Sequence, residues 1–219
     1  MAVHLVVGAN RGIGLGLVQQ LRARGERVIA TCRGDAGQLA RLDDVEVISG
    51  VDITSNDAVS AFAAQVPTID VLWVVAGVLE RTTLRDPQPQ VCQRLLDVNA
   101  IGPLRVVSAL QDRLAQGGTV ALVTSRMGSV SDNTSGGSYA YRMSKAALNA
   151  AGKSMAVDLA EQRVTVLLLH PGWVRTDMTS GRGLVDVSES VAGLIARVDQ
   201  LGFEASGSFW HMNGDPLPW

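Results

Sequence analysis

The sequence predicts an α/β fold of one domain, in which helices cover both faces of a doubly wound parallel sheet. Short apolar runs rich in β-branched residues alternate with longer segments of helical character along the whole chain. Most of these runs are continuously apolar, as expected for central strands that are buried on both faces. No linker, repeat or low-complexity tract interrupts the pattern, so residues 1–219 are predicted to form a single domain.

The alternation of strands and helices can be followed in order. The apolar runs predict strands at 3–8, 27–32, 45–50, 70–77, 119–125, 163–170 and 207–212. The segments between them predict helices near 12–24, 36–42, 55–65, 88–114, 139–161 and 187–201. Right-handed crossovers would then place a ligand crevice at the carboxyl ends of the strands. The architecture expected is a Rossmann-type sheet of about seven strands.

Composition and charge argue against several classes of function. The net charge is −2 and no block of Lys or Arg stands out, which argues against nucleic acid as a main partner. No apolar run reaches the roughly 18–20 residues of a membrane span, and the first residues lack a basic segment followed by an apolar core. We therefore expect a cytoplasmic protein with no membrane partner.

The cysteines and histidines do not predict a metal site. Cys32 and Cys92 are far apart, form no CxxC pair and suggest neither a disulfide framework nor zinc, which fits a reducing compartment. His4, His170 and His211 are scattered without ligand spacing, so no metal is expected.

A glycine-rich turn joins the first predicted strand to the first helix. Gly8, Gly12 and Gly14 follow a GxxxGxG pattern within the sequence VVGANRGIGLG. Glycines let the backbone turn tightly and approach a pyrophosphate, whose charge is favoured at a helix N-terminus. A purely structural strand-to-helix turn is the alternative. The position after the first strand favours a dinucleotide, held by Gly8, Asn10, Arg11, Gly12, Ile13 and Gly14.

The end of the second strand indicates which dinucleotide is bound. Sites that prefer NAD usually place a carboxylate there, on the ribose 2′-hydroxyl. Here Cys32 and Arg33 occupy that position, and Asp35 comes slightly late. Arg11 and Arg33 suit a 2′-phosphate, because planar guanidinium groups bind phosphate oxygens bidentately. We expect NADP(H) rather than NAD(H), although both arginines could instead be solvated surface charges.

Tyr141 and Lys145 have the spacing of neighbours on one face of a helix. Tyr139, the only other tyrosine, is six residues from Lys145 and therefore lies on a different side of the helix. An ammonium group near a phenol favours the phenolate and lowers its pKa from about 10, so that the tyrosine can exchange a proton near neutral pH. A YxxxK pair occurs often by chance, so the other motifs of the chain decide its meaning.

Together these motifs resemble the short-chain dehydrogenase/reductase family over nearly the whole chain, and in the family's order. They are the GxxxGxG turn, VDI at 51–53, VVAG at 74–77, DVNAIGP at 97–103, VTS at 123–125, YxxxK at 141–145 and HPGWVRTDM at 170–178. The opening GANRGIGLGL, the stretch DNTSGGSYAYRMSKAALN and the final PW resemble the sniffer/C-factor-like carbonyl reductase branch.

The resemblance assigns the catalytic roles. Tyr141 would be the general acid in carbonyl reduction, and the base in the reverse reaction. Lys145 would lower the pKa of Tyr141 and bind the nicotinamide ribose, and Ser125 would hydrogen-bond the substrate oxygen. Four nearby serines compete with Ser125, and its gap of 16 residues to Tyr141 is longer than is usual in the family. The competing residues are Ser129, Ser131, Ser135 and Ser138.

Asn99 is the fourth catalytic residue that the resemblance implies, tied to a proton-relay water. Pro103 lies four residues later and has no N–H to donate, so in a helix it would leave the Asn99 carbonyl unpaired and able to hold a water. The alternative is that Pro103 simply lies in the first turn of a helix that begins after Gly102.

Further cofactor contacts carry over from the family. Asp52 would accept a hydrogen bond from the adenine amino group, although it could equally be an acid at a helix N-terminus. Val74 and Val75 stand where the family usually has two asparagines, and Val7 where a threonine is common. The remaining contacts expected are Ile53, Ala76, Gly77, Pro171, Gly172, Val174 and Thr176.

The predicted function is an NADP(H)-dependent oxidoreductase that acts on a small-molecule carbonyl or alcohol. Little chain follows Thr176 before the next helix, so an open, permissive pocket for ketones, aldehydes or quinones is expected. A dinucleotide-binding sensor with little or no turnover is the alternative, favoured by the two valines. Small residues on the 139–161 helix, together with the resemblance, predict a homodimer or homotetramer, and close packing on the protein's own sheet is the alternative.

Overall fold

All seven predicted strands form, and they pair in parallel in one sheet. The computed structural model describes residues 1–219. The strands are β1 (Val3–Val7), β2 (Arg27–Thr31), β3 (Val45–Ile48), β4 (Ile69–Val74), β5 (Leu114–Val123), β6 (Thr165–His170) and β7 (Ser208–His211). Their order across the sheet is β3-β2-β1-β4-β5-β6-β7. The order reverses between β1 and β4, and this is where a doubly wound sheet opens a crevice for a ligand.

Six α-helices connect the strands and cover both faces of the sheet. They are α1 (Gly12–Ala23), α2 (Asn56–Ala63), α3 (Pro89–Leu96), α4 (Gly102–Leu110), α5 (Tyr139–Asp158) and α6 (Val187–Gln200). Helices α1 and α6 pack on one face, and α2, α4 and α5 on the other, each against its own apolar core. None of the helices is both long and apolar enough to cross a membrane.

The predicted helix at 88–114 is interrupted, which corrects the sequence-based expectation. Helix α3 ends in a π turn at Asp97–Ile101, in which the Gly102 N–H donates to the Asp97 carbonyl five residues back. Pro103 then lies in the first turn of α4. Proline is tolerated there, because the N–H groups of a first turn have no partner within the helix.

Two smaller boundaries also differ from the expectation. Strand β5 begins at Leu114 rather than at 119, and its register against β4 shifts between the pairs Ile69–Leu114 and Val71–Thr119. The extra residues of β5 form a bulge that contains Gly117 and Gly118. The expected helix at 36–42 is a single 3₁₀ turn at Gly37–Arg41.

Candidate active site

A crevice of about 480 Å³ opens at the carboxyl edge of the sheet, at the reversal of strand order. Fifteen of the predicted site residues line it. They are Gly8, Asn10, Arg11, Gly12, Ile13, Gly14, Arg33, Asp52, Ile53, Ala76, Gly77, Tyr141, Lys145, Pro171 and Thr176. The four others, Asn99, Ser125, Gly172 and Val174, are not in the lining. Two of these four, Asn99 and Ser125, support lining residues through the hydrogen bonds described below.

The glycine turn is shaped by close backbone contacts. Gly8 has φ +89°, and a Cβ there would lie 2.7 Å from the Ala76 nitrogen. A Cβ on Gly14 would lie 2.1 Å from the Gly8 carbonyl oxygen. No side chain caps the N-terminus of α1 at Arg11. The first amides of this helix therefore face the crevice with no side-chain partner, as binding of a pyrophosphate requires.

The far end of the crevice is formed by the segment after β3. Asp52 Oδ1 accepts hydrogen bonds from the Thr54 amide (2.9 Å) and the Thr54 hydroxyl (2.7 Å). These bonds, helped by the charge of Arg33, lower the pKa of Asp52. Ser55, not Asp52, caps helix α2. Asp52 is therefore an ionised hydrogen-bond acceptor on the wall of the crevice. It does not cap helix α2, which was the alternative role expected for it.

Arg11 and Arg33 are both exposed, and neither forms an ion pair or a side-chain hydrogen bond. They approach the crevice from two different segments, the glycine turn and the end of β2. Asp35, the late acid of the sequence, instead accepts from the Gly37 amide at 3.0 Å, within its own loop. Two guanidinium groups without an ion-pair partner favour an anionic group such as a 2′-phosphate at this point.

The segment after β6 closes the crevice on the side of the glycine turn. A Cβ on Gly12 would lie 3.4 Å from Thr176 Cγ2. Val174 pairs with Val185 across the base of this loop, and Thr179 Oγ1 donates to the Val174 carbonyl at 2.7 Å. The loop is therefore short and fastened at its base. Gly172 and Val174 shape it from behind the crevice wall.

The two tyrosines have different surroundings. Tyr141 is 8% exposed and lines the crevice, whereas Tyr139 is 37% exposed and lines a separate apolar groove beside α3. The Thr82 hydroxyl accepts a hydrogen bond from the Ala140 amide at 3.0 Å. This contact anchors the first turn of α5 and with it the orientation of Tyr141.

Ser125 is the serine whose side-chain hydrogen bonding lowers the pKa of Tyr141. It lies just after β5, and its hydroxyl also accepts from the Met127 amide at 3.2 Å. The four competing serines have other partners or roles. Ser129 accepts from the Asp132 amide, Ser131 donates to the Trp219 carbonyl, Ser135 contacts Arg142, and Ser138 precedes α5 in a left-handed conformation.

Lys145 extends along α5 toward the carboxyl end of β5. Its Nζ donates to the Val123 carbonyl at 3.0 Å and lies 6.0 Å from the centroid of the Tyr141 ring. A Cβ on Gly77 would lie 3.6 Å from this Nζ and 3.2 Å from Asn99 Oδ1. The absence of a side chain at Gly77 therefore leaves space between the lysine and the asparagine.

Asn99 is fully buried, and its side chain joins three parts of the site. Its Oδ1 accepts from the Val78 amide and its Nδ2 donates to the Val78 carbonyl, both at 2.8 Å. The same Nδ2 donates to Ser144 Oγ at 2.9 Å, and Ser144 Oγ donates to the Tyr141 carbonyl at 2.8 Å. The side chain of Asn99 is thus committed to structure, which leaves its main-chain carbonyl as the group for the predicted relay.

The pKa of Tyr141 differs from the expectation in the protein chain alone. Burial raises it to about 12, although the Ser125 hydrogen bond lowers it. Burial also lowers the pKa of Lys145 to about 8. The depression of the tyrosine pKa that was expected from the lysine is not found, and the removal of the phenol from water dominates instead. Tyr141 holds its proton at neutral pH.

Several residues of the site lack a recognisable signal in the sequence. Ser144 donates to the Tyr141 carbonyl and is itself held by the distant Asn99, and Thr82 holds the Ala140 amide from far along the chain. No local pattern predicts a side chain whose partner is distant in sequence. Thr54 fixes Asp52, and Asp177 and Met178 line the crevice after Thr176. No group of three or more His, Cys, Asp or Glu side chains is arranged to hold a metal ion.

Comparison with known proteins identifies the family. Residues 2–184 match the family model of short chain dehydrogenases. A curated relative, 1-hydroxy-2-glutathionyl-2-methyl-3-butene dehydrogenase of Rhodococcus sp. strain AD45, is 41% identical over the full length of both chains. The solved structure of carbonyl reductase Sniffer of D. melanogaster superposes with a TM-score of 0.92 at 31% identity, covering 100% of both chains.

A second solved structure contains a cofactor. The NADPH-bound carbonyl reductase from chicken fatty liver has a TM-score of 0.91 at 29% identity, covering 100% of this chain and 99% of the other. The sequence match and the fold therefore agree. The chain belongs to the short-chain dehydrogenase family.

Proposed function

We propose that the protein is an NADP(H)-dependent carbonyl reductase or alcohol dehydrogenase in which Tyr141 exchanges the proton. The observation that carries this proposal is the buried phenol of Tyr141 at the wall of the crevice, with Lys145 Nζ 6.0 Å from its ring centroid. A protein that only binds a dinucleotide has no need for a buried phenol beside a buried lysine at this wall. Asn99 and Lys145 complete the set, and both are buried beside Gly77.

The crevice fits NADP(H), a ligand named for three of the solved relatives. The cradle at Gly8 and Gly14 and the uncapped start of α1 would hold the pyrophosphate. Arg11 and Arg33 would bind the 2′-phosphate, and Asp52 would accept from the adenine amino group. When bound, the nicotinamide supplies or accepts the hydride.

The residues of this chain supply the proton and orient the substrate. Because the pKa of Tyr141 is about 12, its phenol carries a proton at neutral pH that it can donate to a carbonyl oxygen. The Ser125 hydroxyl can hydrogen-bond the same oxygen, since it already contacts the phenol. In the direction of reduction, Tyr141 acts as the acid; in oxidation, its phenolate accepts the alcohol proton.

The proton lost by Tyr141 must be replaced from solvent. Lys145 and the main-chain carbonyl of Asn99 are the groups proposed for this path, since Lys145 Nζ and the side chain of Asn99 both lie near Gly77 on the crevice wall. Pro103 cannot donate an N–H to that carbonyl. With a pKa of about 8, Lys145 is mostly protonated at pH 7 and can pass a proton onward.

The loops after β4 and β6, which both contribute residues to the crevice wall, favour a substrate that carries negative charge. Arg81 and Arg85 on the loop after β4, and Arg182 on the loop after β6, are exposed and form no ion pair. The nearby acids Glu80 and Asp186 are already paired with other arginines. The curated relative from Rhodococcus is named for a glutathionyl alcohol, a substrate with free carboxylates. We include such conjugates within the proposed class of carbonyl and alcohol substrates.

Turnover distinguishes this proposal from the dinucleotide sensor. NADPH absorbance is followed with ketones, aldehydes and quinones, with and without a carboxylate, and NADP⁺ reduction is followed with glutathionyl alcohols. We expect turnover, faster for substrates with a carboxylate. Tight NADPH binding without turnover of any substrate would favour the sensor instead. The two valines supporting that alternative do not disturb the crevice, since the Val75 amide donates to the Val7 carbonyl at 2.9 Å.

The choice of cofactor has its own test. A guanidinium–phosphate hydrogen bond contributes about 1.5–3 kcal/mol, so Arg33→Ala should raise the KM for NADPH by roughly 10- to 100-fold. The KM for NADH should change little. Arg41→Ala, another exposed arginine outside the crevice, is the matched control. Equal effects of Arg33→Ala on both cofactors would refute the role assigned to Arg33.

Assembly and location are proposed on separate grounds. Helices α4 and α5 expose apolar side chains, among them Leu104 at 46% and Val157 at 67%, which supports a homodimer or homotetramer. Both cysteines are free, which supports a reducing compartment such as the cytoplasm. Light scattering on the purified protein tests the first proposal, and a monomer would refute it.

A further inference from the structure

The last residue of the sequence contacts the loop that begins at the catalytic serine. The Trp219 carbonyl accepts two hydrogen bonds from Ser131, one from the amide at 2.9 Å and one from the hydroxyl at 2.6 Å. The indole of Trp219 stacks on Phe209 of β7, with ring centroids 5.8 Å apart and planes inclined by 29°. Trp219 thus links the edge of the sheet to the loop between β5 and α5.

The segment that ends at Trp219 is itself fixed to the sheet. It turns back along β7, where the His211 amide donates to the Asp215 carbonyl and the Leu217 amide to the Phe209 carbonyl, both at 2.8 Å. Trp210 and Pro216 form an antiparallel bridge between the two segments. The segment that carries Trp219 is therefore held against β7 by hydrogen bonds.

Short contacts connect Ser131 to Ser125 within the loop. The Ser129 amide donates to the Arg126 carbonyl at 3.0 Å, and Ser129 Oγ lies 3.5 Å from Ser131 Oγ. The Gly128 amide donates to the Ser125 carbonyl at 2.7 Å, and the Met127 amide donates to the Ser125 hydroxyl at 3.2 Å. The conformation of this turn therefore sets where the Ser125 hydroxyl points.

The loop has few other attachments on this side. Val130 is 78% exposed and Ser131 is exposed as well. Gly128 packs against the backbone of α5, where a Cβ would lie 2.8 Å from the Lys145 carbonyl oxygen, and Arg126 pairs with Asp132 inside the loop. Among the hydrogen bonds of Ser131, the two to the Trp219 carbonyl are the ones that join it to a residue outside this loop.

We propose that Trp219 is a positioning residue for the catalytic serine. By stacking on Phe209 and binding Ser131, it fixes the 126–132 turn and thereby holds the Ser125 hydroxyl against Tyr141. The inference rests on the proposed function for its kinetic consequences. Because the Ser125 hydrogen bond lowers the pKa of Tyr141, loss of this placement should make the tyrosine harder to deprotonate.

The test compares Trp219→Ala with Trp219→Phe, which keeps an aromatic ring to stack on Phe209. In alcohol oxidation, Trp219→Ala should lower kcat by about 10- to 100-fold, because a catalytic group displaced by about 1 Å costs that much. Its pH profile should move to higher pH, while the KM for NADP⁺ stays within about twofold. Trp219→Phe should restore most of the rate and the profile. Val130→Ala, an exposed neighbour on the same loop, should behave as the wild type.

A second variant, Ser131→Ala, and a second measurement, amide hydrogen exchange, also test the contact between Trp219 and Ser131. Ser131→Ala removes one of the two hydrogen bonds without touching the stacking, so it should shift the pH profile in the same direction by a smaller amount. Amide hydrogen exchange of the 125–138 peptide should rise in both variants, and this readout needs no turnover. Absence of turnover in the wild type would refute the proposed function and leave the exchange result to decide the contact with Trp219.

Two outcomes would overturn the proposal. One is a pH profile in Trp219→Ala that matches the wild type, even if the rate falls through general loss of stability. The other is unchanged exchange of the 125–138 peptide in both variants. Either result would show that Trp219 only packs on Phe209 and does not position Ser125.

Discussion

Replacement of Asn99 by alanine would remove the side chain that joins the segment after β4 to α5. Asn99 is fully buried and makes three side-chain hydrogen bonds, two to Val78 and one to Ser144, all between 2.8 and 2.9 Å. Each contributes about 1 kcal/mol, and the partners left behind are largely buried. We expect Asn99→Ala to lower the free energy of unfolding by about 3 kcal/mol, a large share of the 5–15 kcal/mol typical of a domain.

The same change should also reduce turnover in the fraction that remains folded. The main-chain carbonyl of residue 99 survives in the variant, but Ser144 Oγ loses the hydrogen bond that Asn99 Nδ2 donates to it. Because Ser144 Oγ in turn donates to the Tyr141 carbonyl, the backbone of Tyr141 is held less firmly. Urea unfolding of wild type and variant measures stability, and NADPH consumption by folded protein measures activity. Asn56→Ala, at an exposed helix start, is the matched control and should change stability by less than about 0.5 kcal/mol.

A destabilisation below about 1 kcal/mol would refute this reasoning, because it would mean that the three hydrogen bonds do not hold the site together. Full turnover in a clearly destabilised variant would instead refute the link from Asn99 to Tyr141, while leaving its structural role intact.

Two further predictions concern the turn and the pH dependence of stability. Gly14→Ala places a Cβ 2.1 Å from the Gly8 carbonyl oxygen, so calorimetry should show loss of NADPH binding. The control is Gly202→Ala, whose added Cβ has no atom within 4 Å, and this variant should bind NADPH normally. Burial lowers the pKa of His170 from 6.5 to about 3. Between these two pH values His170 is protonated in the unfolded chain but not in the folded protein, so the free energy of unfolding falls as the pH is lowered. Replacing His170 by Leu should flatten urea midpoints across that range, with a residual slope from His4, whose pKa is also lowered by burial. An unchanged slope would contradict the assignment to His170.

The sheet could be predicted from sequence because buried parallel strands are continuously apolar. Strand β6, Thr165–His170, illustrates this: nearly every residue is buried, and no polar side chain interrupts the run. The glycine turn was equally readable, since Gly8 and Gly14 satisfy a steric requirement that few other residues can meet.

The π turn at Asp97–Ile101 could not be predicted in the same way. Apolar periodicity continues across it, and only Gly102 and Pro103 hinted at a break. The register shift of β5 was not predicted either, because the strand was expected to begin only at 119, after the two glycines of the bulge. Both features depend on pairing with distant residues rather than on local preference.

The residues of the candidate site likewise differ in whether a local sequence pattern predicts them. Tyr141 and Lys145 follow from helical spacing, whereas the family resemblance was needed for Ser125 and Asn99. The final PW contributed to the family resemblance, but the sequence predicted no role for Ser144 or Trp219, since each acts through a contact with a residue 45 or 88 positions away. The pKa of Tyr141 was expected to be depressed, and burial, which a sequence does not reveal, reverses that direction.

The most direct measurement of the central claim compares the two tyrosines. Turnover of NADPH with a reactive ketone or aldehyde is measured for Tyr141→Phe and Tyr139→Phe, two variants that each lose one hydroxyl from neighbouring positions of one helix. General acid catalysis contributes about 10²- to 10⁴-fold, so Tyr141→Phe should lose activity by that factor, and Tyr139→Phe should retain most of it. Equal losses in both variants, or full activity in Tyr141→Phe, would contradict the assignment of Tyr141 as the proton donor.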